Sequence, residues 1–451
     1  MAKVDDTVLL QVQRMGQFGE GVGHDADGRV VFVSGALPGE NVQARITEVR
    51  KNFSRATTQK VLRPTINRIV PRCPIFEKCG GCAFQHWDYG QELAYKEDRV
   101  RQAFIRIAHV DHPPVEPIVG ADDPYGYRNK GQFPWGGQSG HTYLGLFARG
   151  THEVIATKKC DIQDSLVNEV LAKAPLVANT LGIEPYHEGS GQGILRHLLV
   201  RISRREQKSL VLIVVHHWDD RLFDMAHQLL QDIPSLRGVG VNINADRTNR
   251  VLGNETRLLA GEDTLVDEIL GKSFILSFES FFQVNPLQVG RLYSLALQHI
   301  PQGSPEVWDL YAGVGTLAIL ASDRAKVVKA LEINQRAVED GKRNIAMNHV
   351  QNVAIMAGRV EEVIARWVKQ GKTPPSSVIM DPPRAGLLPQ VIESLRSLGA
   401  SRLIYVSCNP DTLARDVALL KPLYRLEHVA PVDMFPRTDH VEAVAAMVVE
   451  N

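Results

Sequence analysis

The sequence predicts an α/β plus β protein with a small N-terminal β-barrel, a central α+β domain and a C-terminal Rossmann-like α/β domain. Three observations support this prediction. The chain has 451 residues, which is too long for a single hydrophobic core. Its beginning consists of short strand patterns separated by turns. From about residue 305, strand and helix patterns alternate, as in a parallel sheet covered by helices. We therefore expect three domains, comprising residues 1–62, 63–270 and 271–451.

The predicted barrel contains four strand patterns. They cover residues 7–15, 29–37, 41–49 and 55–62, and Pro64 ends the unit. Several short strands in so little chain indicate closure into a barrel, because closure protects strand edges that would otherwise be exposed.

The central segment is less regular. A helix pattern covers about residues 91–107, and two apolar strand patterns cover residues 194–202 and 209–217. The second strand is too apolar to face water on both sides, so we expect it to be buried. We also expect the helix near residues 90–115 to pack against the C-terminal domain.

The charge is balanced overall but unevenly distributed. The chain contains 51 basic and 51 acidic residues, so no net charge attracts a polyanion. Residues 45–72 nevertheless contain eight basic residues and one acidic residue, and a second basic cluster covers residues 196–208. Such segregated patches suit a phosphate backbone, and a solvated surface strand is the alternative for each patch taken alone.

The sequence lacks the patterns of membrane and secreted proteins. No run of about 18 apolar residues is present, which argues against a membrane span. The first ten residues, MAKVDDTVLL, lack the basic start and apolar stretch of a secretory signal. We expect a cytoplasmic protein with no membrane partner, and nothing in the sequence requires more than a monomer.

A cofactor site is predicted where the strands of the C-terminal domain end. The first strand leads into the turn DLYAGVGT, in which Gly313 and Gly315 let the backbone approach a ligand at a helix N-terminus. The next strand ends in Glu332, where a carboxylate can bind ribose hydroxyls. A later strand ends in Asp381-Pro382-Pro383. Because the third glycine of a dinucleotide motif is absent, this set indicates S-adenosylmethionine rather than a pyrophosphate-containing cofactor.

Cys408 is the candidate nucleophile. It ends a strand at the same edge and is followed by Asn409-Pro410 and a helix, whose N-terminal field is expected to lower the pKa of the thiol. A thiolate that adds to C6 of uracil makes C5 nucleophilic enough to accept a methyl group. An isolated strand cysteine is more often core filling, but its position at the ligand edge favours catalysis.

The base that removes the C5 proton is expected from the same edge. If the last strand is antiparallel, its first residue, Glu442, lies beside the carboxyl ends of the parallel strands. Glu442 is therefore the first candidate for the general base, and Asp439 and His440 are the alternatives.

Four further cysteines suggest a metal centre. Cys73, Cys79, Cys82 and Cys160 could bind a zinc ion or a [4Fe–4S] cluster, both of which accept four thiolates. Unliganded buried cysteines are the less favoured alternative. A disulfide framework is not expected in a cytosolic chain.

Three motifs, DPPRAG, SCNP and MFPRTDHVE, resemble those of the RNA 5-methyluridine methyltransferases of the TrmA/RumA type. The segment SFFQVN at residues 280–285 resembles the part of that family whose glutamine contacts the cofactor. The resemblance implies a class I S-adenosylmethionine-dependent methyltransferase domain. Its nucleophile would be Cys408, its proton acceptor Glu442, and its cofactor contacts Gln283, Tyr311, Glu332 and Asp381. One departure is Ala312, where members often have cysteine or serine.

The resemblance extends to the other two domains. Residues 1–62 resemble a TRAM domain, an RNA-binding barrel related to the oligonucleotide-binding folds, and the four cysteines match a pattern that binds [4Fe–4S]. Members with both features form the RlmD-like subgroup, which implies that the partner is 23S rRNA and the target one specific uridine flipped from its stack. Tyr125, Tyr127 and Arg128 are expected to contact RNA or to pack between domains.

Three rival functions fit the sequence less well. Cytosine-5 enzymes need a second free cysteine after the motif proline, where this chain has Arg384. Adenine-N6 enzymes need an aromatic residue at that place. A non-catalytic iron–sulfur RNA-binding protein would not need to retain Cys408 and Glu442, and both residues are present.

Overall fold

The computed structural model describes residues 3–138, 140–248 and 250–450. Its N-terminal part is a six-stranded sheet in the order β1-β5-β6-β4-β3-β2. The N–H of Gln13, just after β1, donates to the Val22 carbonyl of β3 at 2.8 Å, which brings the two edges together and closes the barrel as predicted. The strands are β1 Thr7–Gln11, β2 Arg14–Met15, β3 Gly21–His24, β4 Val30–Ser34, β5 Asn41–Val49 and β6 Phe53–Arg63.

The middle of the chain forms a second sheet of seven strands in the order β13-β12-β11-β10-β7-β8-β9. Seven of the eight residues of β11 are buried, as its apolar sequence predicts. The strands are β7 Lys130–Gly136, β8 Tyr143–Phe147, β9 Val154–Ala156, β10 Leu195–Ser203, β11 Lys208–Val215, β12 Leu236–Ile243 and β13 Glu255–Gly261, with helices α2 Ser165–Thr180 and α3 Arg221–Asp232.

Helix α1, Tyr89–Arg106, precedes this sheet in the chain. Its N-cap is Asp88, whose side chain accepts a hydrogen bond from the Gln91 N–H. Val100 and Phe104 of α1 are buried in the same hydrophobic core as the C-terminal sheet. The helix therefore belongs to the middle segment by sequence and to the C-terminal core by packing.

The C-terminal sheet has seven strands in the order β18-β17-β16-β19-β20-β22-β21. A small hairpin and α4 precede it, and helices cover both faces. The elements are β14 Thr264–Ile269, β15 Lys272–Ser277, α4 Pro286–Leu297, β16 Ser304–Leu310, α5 Thr316–Ala321, β17 Ala325–Glu332, α6 Gln335–Met347, β18 Val353–Ala357, α7 Val360–Lys369, β19 Ser377–Met380, α8 Pro389–Leu398, β20 Arg402–Ser407, α9 Pro410–Leu420, β21 Tyr424–Val432 and β22 Glu442–Val449.

The register of this sheet places the candidate residues at one edge. Strands β16 to β20 run parallel, so their carboxyl ends coincide, whereas β22 is antiparallel to β20 and β21. Ala443 of β22 is paired with Ser407 of β20, and Glu442 is paired with Val432 of β21. The first residue of β22 therefore lies beside the end of β20, which confirms the predicted antiparallel last strand.

Two basic residues of the second cluster are used inside the protein. Arg196 and Arg201 are buried, and each donates to backbone carbonyls, Arg196 to Asn244 at 2.7 Å and Arg201 to Ser280. These guanidinium groups satisfy buried carbonyls and are not available to phosphates, so the expectation of a phosphate-binding patch at residues 196–208 was wrong for them.

In the barrel, Lys51, Lys60 and Arg63 are exposed. Across the described part of the chain, no helix is long and apolar enough to cross a membrane.

Candidate active site

One large cavity opens at the carboxyl edge of the C-terminal sheet. Its volume is about 1430 Å³, above the roughly 300–1,000 Å³ of ordinary small-molecule pockets, so it has room for a cofactor and a nucleoside together. Seven of the predicted residues line it, namely Gln283, Tyr311, Gly313, Glu332, Asp381, Cys408 and Glu442.

The turn after β16 is a backbone cradle built from left-handed residues. Tyr311, Gly313 and Gly315 have φ angles of 66°, 55° and 79°. Such angles are easy for glycine and unfavourable for tyrosine, so Tyr311 is held in a strained conformation at this edge. Gly315 caps α5 and is absent from the cavity lining, which places it in a shaping role.

Glu332 ties this turn to the next strand. Its Oε2 accepts a hydrogen bond from the Gly313 N–H at 2.9 Å, and its Oε1 accepts one from the Asn334 N–H at 2.7 Å. A carboxylate can accept further bonds, so both oxygens can still receive ribose hydroxyls. The residue predicted as a ribose ligand also fixes the glycine turn.

Three carboxyl groups of the cavity have perturbed acidity. Burial raises the pKa of Asp309 to about 8, with added repulsion from Asp381 and Glu332. Burial also raises the pKa of Asp381 and of Glu442, and the charge of Asp381 adds to the shift at Glu442. Asp381 is half-buried and lines the cavity, so its carboxyl group is partly removed from bulk water. A positively charged ligand in the cavity would therefore favour the ionised form of these carboxyl groups.

Asp309 was missed by the sequence reasoning. It is 1% exposed, and its carboxylate oxygens have no hydrogen bond of good geometry among the described residues, although the Ala318 N–H lies close enough to oppose the rise in pKa. An unpartnered buried carboxylate is costly unless a ligand completes it. Its position immediately before the glycine turn, at the end of β16, was the available signal.

Cys408 lies half-buried in the cavity between β20 and α9. The Asn409 side chain caps α9 by accepting a hydrogen bond from the Asp411 N–H at 3.1 Å. Burial raises the pKa of the Cys408 thiol, and the charges of Glu442 and Asp381 raise it further, while Arg384 opposes them. The expectation of a lowered pKa was wrong for the free protein, because burial and the two carboxyl groups raise it.

Glu442 shares the cavity with Cys408. It is 3% exposed, and its Oε2 has no hydrogen-bond partner among the described residues. Asp439 and His440, the alternative bases, are not among the residues that line the cavity. A carboxylate with a raised pKa is suited to accept a proton near neutral pH.

Two more cavity residues were not predicted as site residues. Tyr293 of α4 is 5% exposed, and burial together with the charges of Asp381 and Glu442 raises its pKa well above the ordinary value. Arg384 is exposed at the cavity, and its carbonyl accepts a hydrogen bond from the Asn409 side chain at 3.2 Å. Tyr293 lies on the apolar face of α4, where a tyrosine that only packs in the core would give the same sequence pattern.

The four upstream cysteines line a second cavity of about 340 Å³, together with Arg128 and Lys130. Cys73, Cys79, Cys82 and Cys160 are all free thiols. Burial raises the pKa of Cys82 to about 12 and that of Cys160 to about 11, and repulsion among the four sulfurs adds to both shifts. Among the described residues, no group of three or more metal-ligating side chains is tight enough to hold a single ion. The shared feature of the four thiols is that they line this one cavity.

The tyrosines of the central domain differ in role. Tyr127 is 1% exposed, and its hydroxyl donates to the Pro436 carbonyl at 3.0 Å, so it packs between domains. Tyr125 is half-buried, and the guanidinium groups of Arg72 and Arg437 lie 4.4 Å and 5.0 Å from its ring.

Comparison with known proteins gives consistent matches along the whole chain. Residues 88–448 match the family profile described as tRNA (uracil-5-)-methyltransferase, and residues 2–58 match that of the TRAM domain. An uncharacterized RNA methyltransferase of Clostridium tetani is 35% identical over 99% of this chain and 97% of its own length. Another from Caldanaerobacter subterraneus subsp. tengcongensis is 37% identical over 98% of both chains.

A solved structure has the same overall fold. It is the Pyrococcus abyssi tRNA (uracil-54, C5)-methyltransferase in complex with S-adenosyl-L-homocysteine, and it superposes with a TM-score of 0.78 at 23% identity. The match covers 97% of this chain and 99% of that chain, so the barrel, the middle sheet and the C-terminal sheet occur in one arrangement in both proteins.

Proposed function

The chain belongs to the tRNA (uracil-5-)-methyltransferase family and methylates C5 of uracil in RNA with S-adenosylmethionine, and we propose that Cys408 and Glu442 perform this reaction. The observation that supports the assignment is that both side chains face one cavity, beside the glycine turn and Asp381. The cavity thus contains a nucleophile, a proton acceptor and a cofactor cradle within reach of a single base.

The proposed reaction begins with the Cys408 thiolate. Its sulfur forms a bond to C6 of uracil, and the electron pair of the C5–C6 double bond moves to the C4 carbonyl as an enolate. The enolate returns its electron pair through C5 to the methyl carbon of S-adenosylmethionine, whose carbon–sulfur bond breaks and leaves S-adenosylhomocysteine. Glu442 then takes the proton from C5, the double bond re-forms, and the carbon–sulfur bond to Cys408 breaks. A raised pKa makes Glu442 a stronger base than an ordinary carboxylate, and the positive sulfonium of bound S-adenosylmethionine favours the ionised form that takes the proton from C5.

The thiol proton must leave before attack. In the free protein, burial and the neighbouring carboxyl groups keep the pKa of Cys408 high. S-adenosylmethionine carries a positive sulfonium, which offsets these negative charges and so lowers the pKa of the thiol when bound. Bound S-adenosylmethionine therefore favours the thiolate, and the thiol proton passes to water in the cavity, which the half-buried Cys408 lines.

Six residues are proposed to hold the cofactor. The Gly313 backbone and the Tyr311 side chain line the cavity beside Glu332, which is proposed to bind the ribose hydroxyls. Asp309 and Asp381 supply buried negative charge for the methionine part, and Gln283 supplies an amide. Gly315 shapes the turn behind them.

We propose 23S rRNA as the substrate RNA. The support is the combination of a TRAM barrel with a four-cysteine site, which the sequence motifs associate with the RlmD-like subgroup. The exposed Lys51, Lys60 and Arg63 of the barrel are suited to phosphate contacts. A tRNA is the second candidate, because the Pyrococcus abyssi tRNA enzyme has the same full-length architecture.

The second cavity is proposed to hold a [4Fe–4S] cluster on Cys73, Cys79, Cys82 and Cys160. A cluster fits because all four thiols line one cavity of about 340 Å³ and because Arg128 and Lys130, which also line it, offset the negative charge of four thiolates. When bound, such a cluster supplies a four-point cross-link between residues 73–82 and residue 160. Anaerobic purification should give a brown protein with iron and sulfide in about equal amounts, whereas a zinc-only protein would contradict the assignment.

The activity can be tested with two transcripts and three enzymes. Unmodified 23S rRNA and tRNA are each incubated with radiolabelled S-adenosylmethionine and the wild type, Cys408→Ala or Glu442→Gln protein. We expect methylation of 23S rRNA by the wild type alone, no covalent complex with Cys408→Ala, and a stable protein–RNA adduct with Glu442→Gln. Methylation by Cys408→Ala would refute the nucleophile, and methylation of tRNA alone would refute the proposed substrate.

A further inference from the structure

We infer that the segment after Cys82, together with helix α1, is a positioning element that sets the place of Glu442 in the active site. The inference rests on the proposed role of Glu442 as the general base. It concerns the loop of residues 433–441, which joins β21 to β22 and ends where Glu442 begins the last strand. This loop is held mainly by residues from outside the C-terminal sheet.

The cysteine segment contacts the loop through two backbone hydrogen bonds. The N–H groups of Ala83 and Phe84 donate to the carbonyl of Arg437 at 2.8 Å and 3.0 Å. Arg437 is 4% exposed and has a left-handed φ of 69°, which turns the loop back toward the sheet. A strained conformation persists only where its surroundings fix it, and here the cysteine segment supplies that restraint.

Helix α1 holds the same loop with a buried ionic network. Lys96 and Glu92 are both 0% exposed and paired at 2.7 Å. The Lys96 ammonium also donates to Asp433 at 2.8 Å and to the Phe435 carbonyl at 3.2 Å, and Glu92 accepts from the Arg437 N–H at 2.7 Å. Apolar contacts would join a helix and a loop at lower desolvation cost, whereas this network fixes one geometry.

Two more side chains complete the restraint. Tyr127 donates to the Pro436 carbonyl at 3.0 Å, and Arg99 donates to the Asp439 carbonyl at 2.5 Å. With the bonds above, the carbonyls of residues 435, 436, 437 and 439 all accept from residues between 83 and 127. The loop can therefore shift only if these residues move with it.

This arrangement connects the cysteine site to the catalytic base. Ala83 follows Cys82 directly, and the Gln85 side chain donates to the Cys82 sulfur at 3.3 Å while its oxygen accepts from the Cys73 N–H at 3.1 Å. Whatever binds the four thiols fixes the segment from which Ala83 and Phe84 reach Arg437. Loss of a thiol should loosen the loop and displace Glu442, although neither event touches Cys408 or the cofactor cradle.

A displaced base gives a specific kinetic signature. Methyl transfer needs Cys408 and the cofactor, whereas release of the product needs Glu442 to remove the C5 proton. A variant with a loosened loop should therefore accumulate the covalent RNA adduct, while a variant that only unfolds more readily should lose adduct and product together. Binding of S-adenosylmethionine should stay within twofold of the wild type.

The experiment compares Glu92→Gln and Arg437→Gly with the control Glu169→Gln, which makes the same substitution in a half-buried i,i+4 pair to Lys173 on α2, away from the loop. Glycine suits the left-handed φ of residue 437, so the second variant removes the side chain and keeps the backbone bonds. We expect at least a tenfold rise in steady-state adduct for both variants on denaturing gels, and none for the control. Product formation that falls with no adduct would overturn the inference.

A second readout follows the loop without any activity. Trypsin should cleave after Arg437 at least tenfold faster in Glu92→Gln and in Cys79→Ser than in the wild type or in Glu169→Gln. Unchanged cleavage in Cys79→Ser would overturn the link to the cysteine site. If Glu442→Gln itself traps no adduct, the proposed base fails, and this proteolysis result still decides whether the cysteine segment holds the loop.

Discussion

Binding of S-adenosylmethionine should release about one proton from Asp309 near neutral pH. The free protein keeps this buried carboxyl group largely protonated at pH 7, because its pKa is raised to about 8. The ligand brings a positive sulfonium and an ammonium into the same cavity, which favours the ionised carboxylate. The perturbation is therefore the pH of the binding experiment, and Asp309→Asn is the variant that removes the titrating group.

The size of the pH effect on affinity follows from the shift in the pKa of Asp309. A group with a pKa of about 8 in the free protein and well below 6 in the complex makes affinity increase with pH between these values. From pH 6 to pH 8 the affinity for S-adenosylmethionine should rise about fiftyfold through this one carboxyl group, because about 1% of it is ionised at pH 6 and about half at pH 8. Asp381 and Glu442, whose pKa values are also raised, can add to the slope.

Isothermal titration calorimetry in buffers of different ionisation enthalpy measures the number of protons released. Wild type should release about one proton more than Asp309→Asn at pH 7, and S-adenosylhomocysteine, which lacks the sulfonium charge, should release fewer than S-adenosylmethionine. The reasoning would be refuted if both proteins released the same number, or if affinity for S-adenosylmethionine were independent of pH between 6 and 8.

Further predictions concern the stability of the fold and the binding of RNA. The pKa of Asp309 is higher in the folded than in the unfolded chain, so its contribution to stability is present below about pH 4 and is lost as pH rises to about 8. In urea unfolding, the free energy of unfolding of Asp309→Asn should therefore fall less over this pH range than that of the wild type. Lys96→Met removes the cation shared by two buried carboxylates, Glu92 and Asp433, and should lower the free energy of unfolding by about 3–5 kcal/mol in the same assay. In Gly23→Ala the new Cβ would lie 2.5 Å from the Gln11 carbonyl oxygen of the barrel, so RNA affinity in filter binding should fall while affinity for S-adenosylmethionine does not.

Much of the candidate site could be predicted because the rule that places it is local. Residues at the carboxyl ends of neighbouring parallel strands lie at one edge whatever the rest of the fold does, so Gly313, Glu332, Asp381 and Cys408 could be grouped from strand patterns alone. Glu442 required one more condition, an antiparallel last strand, which the pairing of β22 with β20 confirms.

Long-range packing accounts for what was missed. The charge clusters at residues 45–72 and 196–208 looked alike in sequence, yet Arg196 and Arg201 are buried against carbonyls of distant segments. The sequence spacing does not reveal which guanidinium a later loop will cover. The pKa of Cys408 was misjudged for the same reason, since the helix after it is local in sequence, whereas the burial and the carboxyl groups of Glu442 and Asp381 that raise the pKa depend on distant segments.

The sequence by itself determined the strand and helix order, the glycine turn and the edge at which the reactive residues meet, because these follow from periodicity and chain direction. Only the tertiary structure decided how acidic those residues are and what holds them in place. Asp309 is buried by the folded surroundings. The loop before Glu442 is held by hydrogen bonds from Ala83, Phe84 and Lys96, which lie hundreds of residues earlier in the chain. Acidity and position are properties of the surroundings, and the surroundings exist only after folding.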